Sequence, residues 1–131
     1  PAVIRMVVKC KTCGRVALIT DSTMAAGLED GEYTLGFEKI FVKNGEARLE
    51  NGVLAGSTLT LIDAVKNMVN KFGISLEETI QMATLVPAKA IHVDDRKGSI
   101  DVGKDADLVI LDKDLNVVKT IVMGRVVFSA K

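Results

Sequence analysis

An apolar run near the start of the chain ends abruptly in a carboxylate. Residues 16–19 read Val-Ala-Leu-Ile without polar alternation, and Thr20 and Asp21 follow directly. An apolar run of this length between polar residues is typical of a strand buried on both faces, as in a parallel sheet. We therefore predict a buried strand over 16–19 with Asp21 at its carboxyl end. Before it, apolar residues among basic ones predict a short helix over 1–9.

Turn residues divide the following stretch into short strands. Asn44 and Gly45 stand between two apolar-rich runs, and this pair is the strongest short signal for a two-residue hairpin turn. We therefore predict a hairpin over 37–49. Asn51 and Gly52 mark a second turn.

Helical spacing begins after this second turn. Apolar residues recur three and four positions apart up to Phe72, which places them on one helix face. Either Ser57 or Thr58 is predicted to cap that helix, and Gly73 is predicted to end it. Two further helices are predicted, one from the capping box of Ser75 and Glu78 and one over 88–91 after Pro87.

The last third of the chain changes to β character after the charged turn 94–97. Strands are predicted over 108–111, 117–123 and 126–128. Only the run over 16–19 has the pattern of a parallel strand, and one such strand cannot form a sheet alone. Its neighbours are therefore expected outside this chain.

Composition excludes several classes of function. The 131 residues carry 17 basic and 17 acidic side chains, and neither sign forms a stripe. This balance, with few aromatic residues, argues against a nucleic-acid partner. No apolar run approaches the roughly 18 residues of a membrane span, and no signal peptide opens the sequence. We expect a cytoplasmic protein with no membrane partner.

The soft metal ligands are too few to predict a metal site. Cys10 and Cys13 form a Cys-x-x-C pair, which can be half of a zinc site or a redox motif. A structural zinc site needs four ligands, and the single histidine, His92, lies far along the chain. We interpret the cysteines as loop residues and His92 as a solvated side chain.

Asp21 is the residue with the clearest catalytic position. Barrel enzymes hold their catalytic groups at the carboxyl ends of parallel strands. An isolated Asp after a strand can instead cap the next turn. Similarly, Gly56 and Ser57 can form a ligand-accessible backbone or only the turn that enters a helix.

Four segments together resemble the N-acetylglucosamine-6-phosphate deacetylase family of the amidohydrolase superfamily. The similarity covers essentially the whole chain, and residues 97–109 carry a signature shared by the entire superfamily. Two segments narrow it to the sugar deacetylases: 20–27, where Ser22 stands in place of the commoner Ala, and 54–60. The segments read TDSTMAAG (20–27), LAGSTLT (54–60), MATLVPAKA (82–90) and KGSIDVGKDADLV (97–109).

This resemblance implies an α/β fold and a function. Residues 1–97 are expected to be the C-terminal portion of a TIM-like (β/α)8 barrel, and 98–131 the C-terminal strands of a small β-sandwich. The implied reaction is hydrolysis of N-acetylglucosamine 6-phosphate to glucosamine 6-phosphate and acetate. Asp21 is implied as the catalytic proton shuttle, although it could be a ligand in a two-metal site. Leu54, Ala55 and Gly56 are implied to bind the substrate.

The resemblance also implies a divalent metal, zinc or iron, and a homodimer. The family's metal ligands, a Glu and two His, match no residue of this chain, so we expect them upstream of residue 1 and the chain alone to be inactive. Two other hypotheses stay open. The chain could be part of a deaminase or cyclic-amide hydrolase, or a non-catalytic interaction module.

Overall fold

The chain folds into two compact units, which we describe separately. A computed structural model describes residues 2–130. One unit comprises residues 19–64, and the other comprises the residues up to Leu18 together with those from Val65 onward. None of the helices within 2–130 combines the length and apolar character needed to cross a membrane.

The unit formed by 19–64 is built on a four-stranded antiparallel sheet. Its strands lie in sequence order, and each pairs with the next. The hairpin predicted over 37–49 is confirmed, since Lys43 pairs with Glu46 across Asn44 and Gly45. Both turn residues have positive φ, 52° and 76°, as a tight turn between twisted strands requires. The strands are β1 (Gly31–Leu35), β2 (Glu38–Lys43), β3 (Glu46–Leu49) and β4 (Leu54–Ser57).

One face of this sheet is buried, and the side chains on it are small or β-branched. Alternate residues of β2, Ile40 and Val42, point to the same face, and both are buried. They pack in one cluster with Ala25, Ala47 and Ala55. Phe41, which lies between them, and the flanking Lys39 and Lys43 are exposed on the other face. This alternation fixes the strand register, because a slip of one residue would expose the cluster.

The first helix predicted after the sheet starts later than expected. Helix α2 spans Leu61–Lys66 and continues as a π-helical turn over Asn67–Lys71. The prediction that Ser57 or Thr58 caps it is wrong. Thr60 is the cap, because its hydroxyl accepts from the backbone N–H of Asp63 at 3.2 Å. Ser57 is paired in β4 and is therefore not available as a cap.

The other unit contains helices α1 (Ala2–Lys11), α3 (Leu76–Ala83) and α4 (Leu85–Ala90) and the π-helical turn, and it has a sulfur-rich cluster at its core. A 3-10 turn follows α1 over Cys13–Arg15. Met82 of α3 is fully buried and packs with Val8 and Met68. The predicted second and third helices are thus confirmed, although α4 begins before Pro87.

The Ser75 cap predicted for α3 is confirmed, although the Glu78 carboxylate accepts from the Ser75 hydroxyl and not from the Ser75 backbone N–H. The Ser75 hydroxyl accepts from the Glu78 backbone N–H at 3.3 Å and lies 2.9 Å from the Glu78 carboxylate. Replacement Ser75→Ala removes this acceptor. We expect the free energy of unfolding to fall by about 1 kcal/mol, the usual cost of losing a cap. Urea titration measures this change, and an unaltered midpoint would contradict a role for Ser75 in capping.

The buried strand predicted over 16–19 stays a prediction, because its neighbouring strands are expected outside this chain. This segment forms no β-ladder with any residue in 2–130. Only Val16 and Leu18 pack inward, whereas Ile19 is 72% exposed. The Leu18 N–H donates to the Met82 carbonyl, near the end of helix α3, at 2.8 Å. A strand needs a neighbouring strand, and the described residues supply none beside this segment.

The three predicted strands of the last third are confirmed and form an antiparallel sheet. Its order is β5 (Leu108–Leu111), β6 (Val117–Val122) and β7 (Arg125–Ser129). The turn before β7 lies at Met123 and Gly124, both with positive φ. A charged group ties this sheet to the loop before it. The Lys97 ammonium contacts Asp107 and lies 2.9 Å from Asp105.

This charged group makes stability depend on pH. Hydrogen bonds from the Lys97 side chain and the Met123 N–H hold the pKa of the Asp107 carboxyl below its usual value. A carboxyl with a depressed pKa stabilises the fold above its unfolded pKa and loses that effect as the pH falls through the folded one. We expect Asp107→Asn to be destabilising at pH 7, with the difference narrowing below about pH 4. Urea unfolding at pH 7 and pH 3 measures this, and a pH-independent difference would refute it.

Candidate functional site

Asp21 lies at the surface in a backbone conformation that few residues adopt. It follows the extended segment 16–20 and has φ 52°, in the left-handed region. Asp is one of the few non-glycine residues that visits this region readily. Its side chain is exposed. The carboxylate is therefore accessible from solvent and is set by an unusual backbone turn rather than by a regular strand end.

Strand β4 carries the three residues predicted to bind substrate. Leu54 is 61% exposed, whereas Ala55 is 7% exposed and packs in the cluster beneath the sheet. Because the Ala55 methyl group is enclosed by that cluster, only its backbone is left to meet a ligand. Gly56 is half-buried and has φ 90°. The substrate-binding role of these residues remains a prediction.

Gly56 brings β4 against Asp21. A methyl group placed on Gly56 would lie 2.9 Å from the Asp21 carbonyl oxygen and 3.0 Å from Cγ2 of Thr23. It would also lie 3.9 Å from Oδ2 of Asp21. These distances leave no room for a side chain at residue 56. The two segments that the sequence singled out separately are thus in direct contact.

Ser57 joins the same two segments by backbone hydrogen bonds. Its N–H donates to the Asp21 carbonyl at 2.8 Å, and its own carbonyl accepts from the Thr23 N–H at 2.8 Å. These bonds form a short parallel bridge between Ser22 and Ser57. Asp21 therefore lies directly after residues 16–20 and beside strand β4 of the sheet.

Two serine hydroxyls complete this contact. The Ser57 hydroxyl donates to the Thr20 carbonyl at 2.5 Å and accepts from the Leu59 N–H at 3.1 Å. The Ser22 hydroxyl donates to the Leu59 carbonyl. Sequence reasoning assigned Ser57 to a helix cap and so missed its contact with Asp21. The available signal was its place directly after the Leu54-Ala55-Gly56 motif.

The described residues do not form a metal site by themselves. No group of three or more His, Cys, Asp or Glu side chains within 2–130 could hold a metal ion. Cys10 is exposed on α1, and the half-buried Cys13 has its Sγ 3.8 Å from the Gln81 amide oxygen. His92 is exposed in the loop after α4. Among the four predicted site residues, Asp21 is the one that carries a carboxylate.

A family model places the chain in a class of hydrolases. Residues 8–127 match the model described as the amidohydrolase family. The chain therefore belongs to the amidohydrolase family. Within that family it is similar to deacetylases of amino-sugar phosphates, as the resemblance in the sequence predicted.

Two relatives show the extent of the similarity. The N-acetylglucosamine-6-phosphate deacetylase of Vibrio furnissii is 41% identical over 131 residues, which are 99% of this chain and 32% of that protein. A putative N-acetylgalactosamine-6-phosphate deacetylase of Escherichia coli K12 is 43% identical over 118 residues, 88% of this chain and 71% of that protein. The chain thus spans about a third of the Vibrio protein's length.

Solved structures of deacetylases are also similar to this chain. The N-acetylglucosamine-6-phosphate deacetylase of Thermotoga maritima is 44% identical with a TM-score of 0.91, over 98% of this chain and 35% of that one. A mutant of the Mycobacterium smegmatis deacetylase, in complex with N-acetyl-D-glucosamine-6-phosphate, is 32% identical with a TM-score of 0.92. This similarity too covers 98% of our chain and 35% of the Mycobacterium chain. The mixed α/β fold of the chain is therefore that of the matching part of these enzymes.

Proposed function

We propose that this chain is the C-terminal part of a longer hydrolase that removes the acetyl group from N-acetylglucosamine 6-phosphate. The observation that carries this proposal is the contact between Asp21 and Gly56, which unites the two deacetylase-like segments at one place. In the full-length protein, residues 1–97 would complete a TIM-like barrel and 98–131 a β-sandwich. Such an enzyme would be cytoplasmic and homodimeric.

Asp21 is assigned the proton transfers of the reaction. An amide is a poor electrophile, and an amine is a poor leaving group. A carboxylate beside the scissile bond takes a proton from the attacking water and then returns it to the departing nitrogen. The exposed position of Asp21 makes its oxygens reachable by both groups.

We assign the binding of the sugar to the end of β4. The space that a side chain of Gly56 would take is filled by Asp21 and Thr23, and Ala55 turns its methyl group into the core. A sugar bound at the backbone of these two residues would therefore lie beside the Asp21 carboxylate. The exposed Leu54 side chain offers an apolar contact beside them. Small residues here suit a polar, hydrogen-bonding substrate such as a sugar.

The expected divalent metal, zinc or iron, is assigned to ligands elsewhere in the full-length protein. The described residues of this chain do not fit a complete cation site, as noted above. When bound, such an ion polarises the acetyl oxygen and acidifies water. We assign no step to this chain beyond those of Asp21 and β4.

The galactosamine epimer is the second candidate substrate. A relative named for it is 43% identical, which is no less than the relatives named for glucosamine. Acetate release by the full-length protein from the two 6-phosphates, and from free N-acetylglucosamine, would decide between them. We expect one phosphorylated epimer to be preferred. Turnover of cyclic amides or amino-purines alone would replace this proposal with another amidohydrolase activity, and no turnover at all would favour an interaction module.

A further inference from the structure

The backbone at Asp21 is held in place chiefly by one residue, Ser57. Three of its hydrogen bonds reach residues 20, 21 and 23, with distances of 2.5, 2.8 and 2.8 Å. The Asp21 backbone is therefore fixed on both sides of its Cα atom. The Ser57 main chain makes two of these bonds, as donor to the Asp21 carbonyl and as acceptor from the Thr23 N–H. Only the bond to the Thr20 carbonyl, on the N-terminal side of Asp21, depends on the serine hydroxyl.

This attachment matters because the conformation of Asp21 is intrinsically unfavourable. Its φ of 52° lies in the left-handed region, where the side chain crowds the following carbonyl oxygen. Residues in such conformations persist only when their surroundings over-determine them. If the backbone relaxed to a negative φ, the carboxylate would point in another direction. The hydrogen bonds of Ser57 thus set where the carboxylate points.

Two neighbours reinforce the same geometry. The Ser57 hydroxyl is used twice, as a donor to Thr20 and as an acceptor from Leu59, so its own orientation is fixed. The Ser22 hydroxyl reaches the Leu59 carbonyl and ties the other side of Asp21 to the same loop. Ser22 is the residue at which the sequence departs from the commoner Ala of the family.

We propose that Ser57, with Ser22 in support, is a positioning residue that holds Asp21 in the left-handed conformation its proton transfers require. This inference rests on the proposed function, because it assumes that Asp21 moves the proton. It adds a role for two hydroxyl groups whose hydrogen-bond partners are backbone groups of residues 20 and 59. They act only through the backbone on either side of Asp21.

The test is steady-state kinetics of the full-length protein with the phosphorylated sugar. We expect Ser57→Ala to lower kcat by about 10- to 100-fold with a much smaller change in KM, since a misplaced catalytic group costs rate on this scale. Metal content should stay at the wild-type level. The matched control is Ser75→Ala, which also removes a serine hydroxyl that donates one hydrogen bond and accepts one, but lies at the start of α3. Its kcat should be unchanged.

A double-mutant cycle separates positioning from a general structural effect. If Ser57 acts through Asp21, Ser57→Ala should cost almost nothing further in an Asp21→Asn background, because the two residues act as one unit. Equal slowing in both backgrounds, or no slowing by Ser57→Ala alone, overturns the inference. If Ser57→Ala does not fold, Ser57→Cys, which keeps the size of the side chain but replaces the hydroxyl by a weaker hydrogen-bonding group, is read in the same cycle with the same outcomes. An Asp21→Asn enzyme with normal kcat would instead remove Asp21 from the proposed function, and this inference with it.

Discussion

The replacement Asp21→Asn in the full-length protein should lower kcat for deacetylation by roughly 10²-fold or more, the usual scale for losing acid–base catalysis. An amide has nearly the same shape as the carboxylate, but it cannot take a proton from water at neutral pH. The binding contacts assigned to β4 come from other residues, so KM should change little.

Asn is the right substitute because of the backbone at this position. Asp21 has φ 52°, and Asn tolerates the left-handed region as well as Asp does. Asp21→Ala would combine the loss of the carboxylate with added backbone strain, and its effect could not be assigned to chemistry. With Asn the fold around Gly56 is preserved, and a fall in kcat reports on the proton transfers alone.

The control for this variant is an aspartate outside the site. Asp95→Asn changes an exposed carboxylate in the charged turn after α4, to which we assign no function. Its kcat and KM should equal those of the wild type. Metal analysis of both variants shows whether the cofactor content is intact. Normal turnover by Asp21→Asn, with normal metal content, would exclude Asp21 as the proton shuttle.

Local sequence signals predicted the elements that depend only on neighbours in the chain. The Asn44-Gly45 turn and the Ser75 cap of α3 are both present, because each is decided within four residues. The three terminal strands were also found, since apolar runs and turn residues alternate there over short distances. Such signals require no knowledge of what packs against them.

The errors arose where a distant partner decides the structure. Residues 16–19 are not among these errors: their partner strands are expected outside the chain, and the described residues supply none. Ser57 is a residue type that often caps helices, yet here it belongs to β4 and pairs with β3 in the sheet. For the same reason the contact of Ser57 with Asp21 was invisible in the sequence: the two residues are 36 positions apart, and only the fold brings them together.

The largest change in stability is expected from Gly98→Ala. A methyl group at Gly98 would lie 2.8 Å from Cβ of Ala88, 2.9 Å from Cα of Leu85 and 3.1 Å from the Thr84 carbonyl oxygen. Two of these atoms belong to the backbone at the start of α4, which cannot yield as a flexible side chain would. Gly98 also has φ 85°, which disfavours any side chain. We expect the free energy of unfolding to fall by about 2–5 kcal/mol, from backbone strain and overpacking together.

Gly103→Ala is the matched control that separates these two causes. Gly103 has nearly the same backbone, with φ 89°, but nothing lies within 4 Å of a methyl group there. It should therefore suffer the strain alone, about 1–2 kcal/mol. Urea titrations of both variants measure the difference, which is the cost of forcing the loop after residue 97 away from α4. If the two variants were equally destabilised, the close packing of Gly98 on α4 would be wrong, and the superfamily-wide Lys97-Gly98 pair would need only the backbone freedom of glycine.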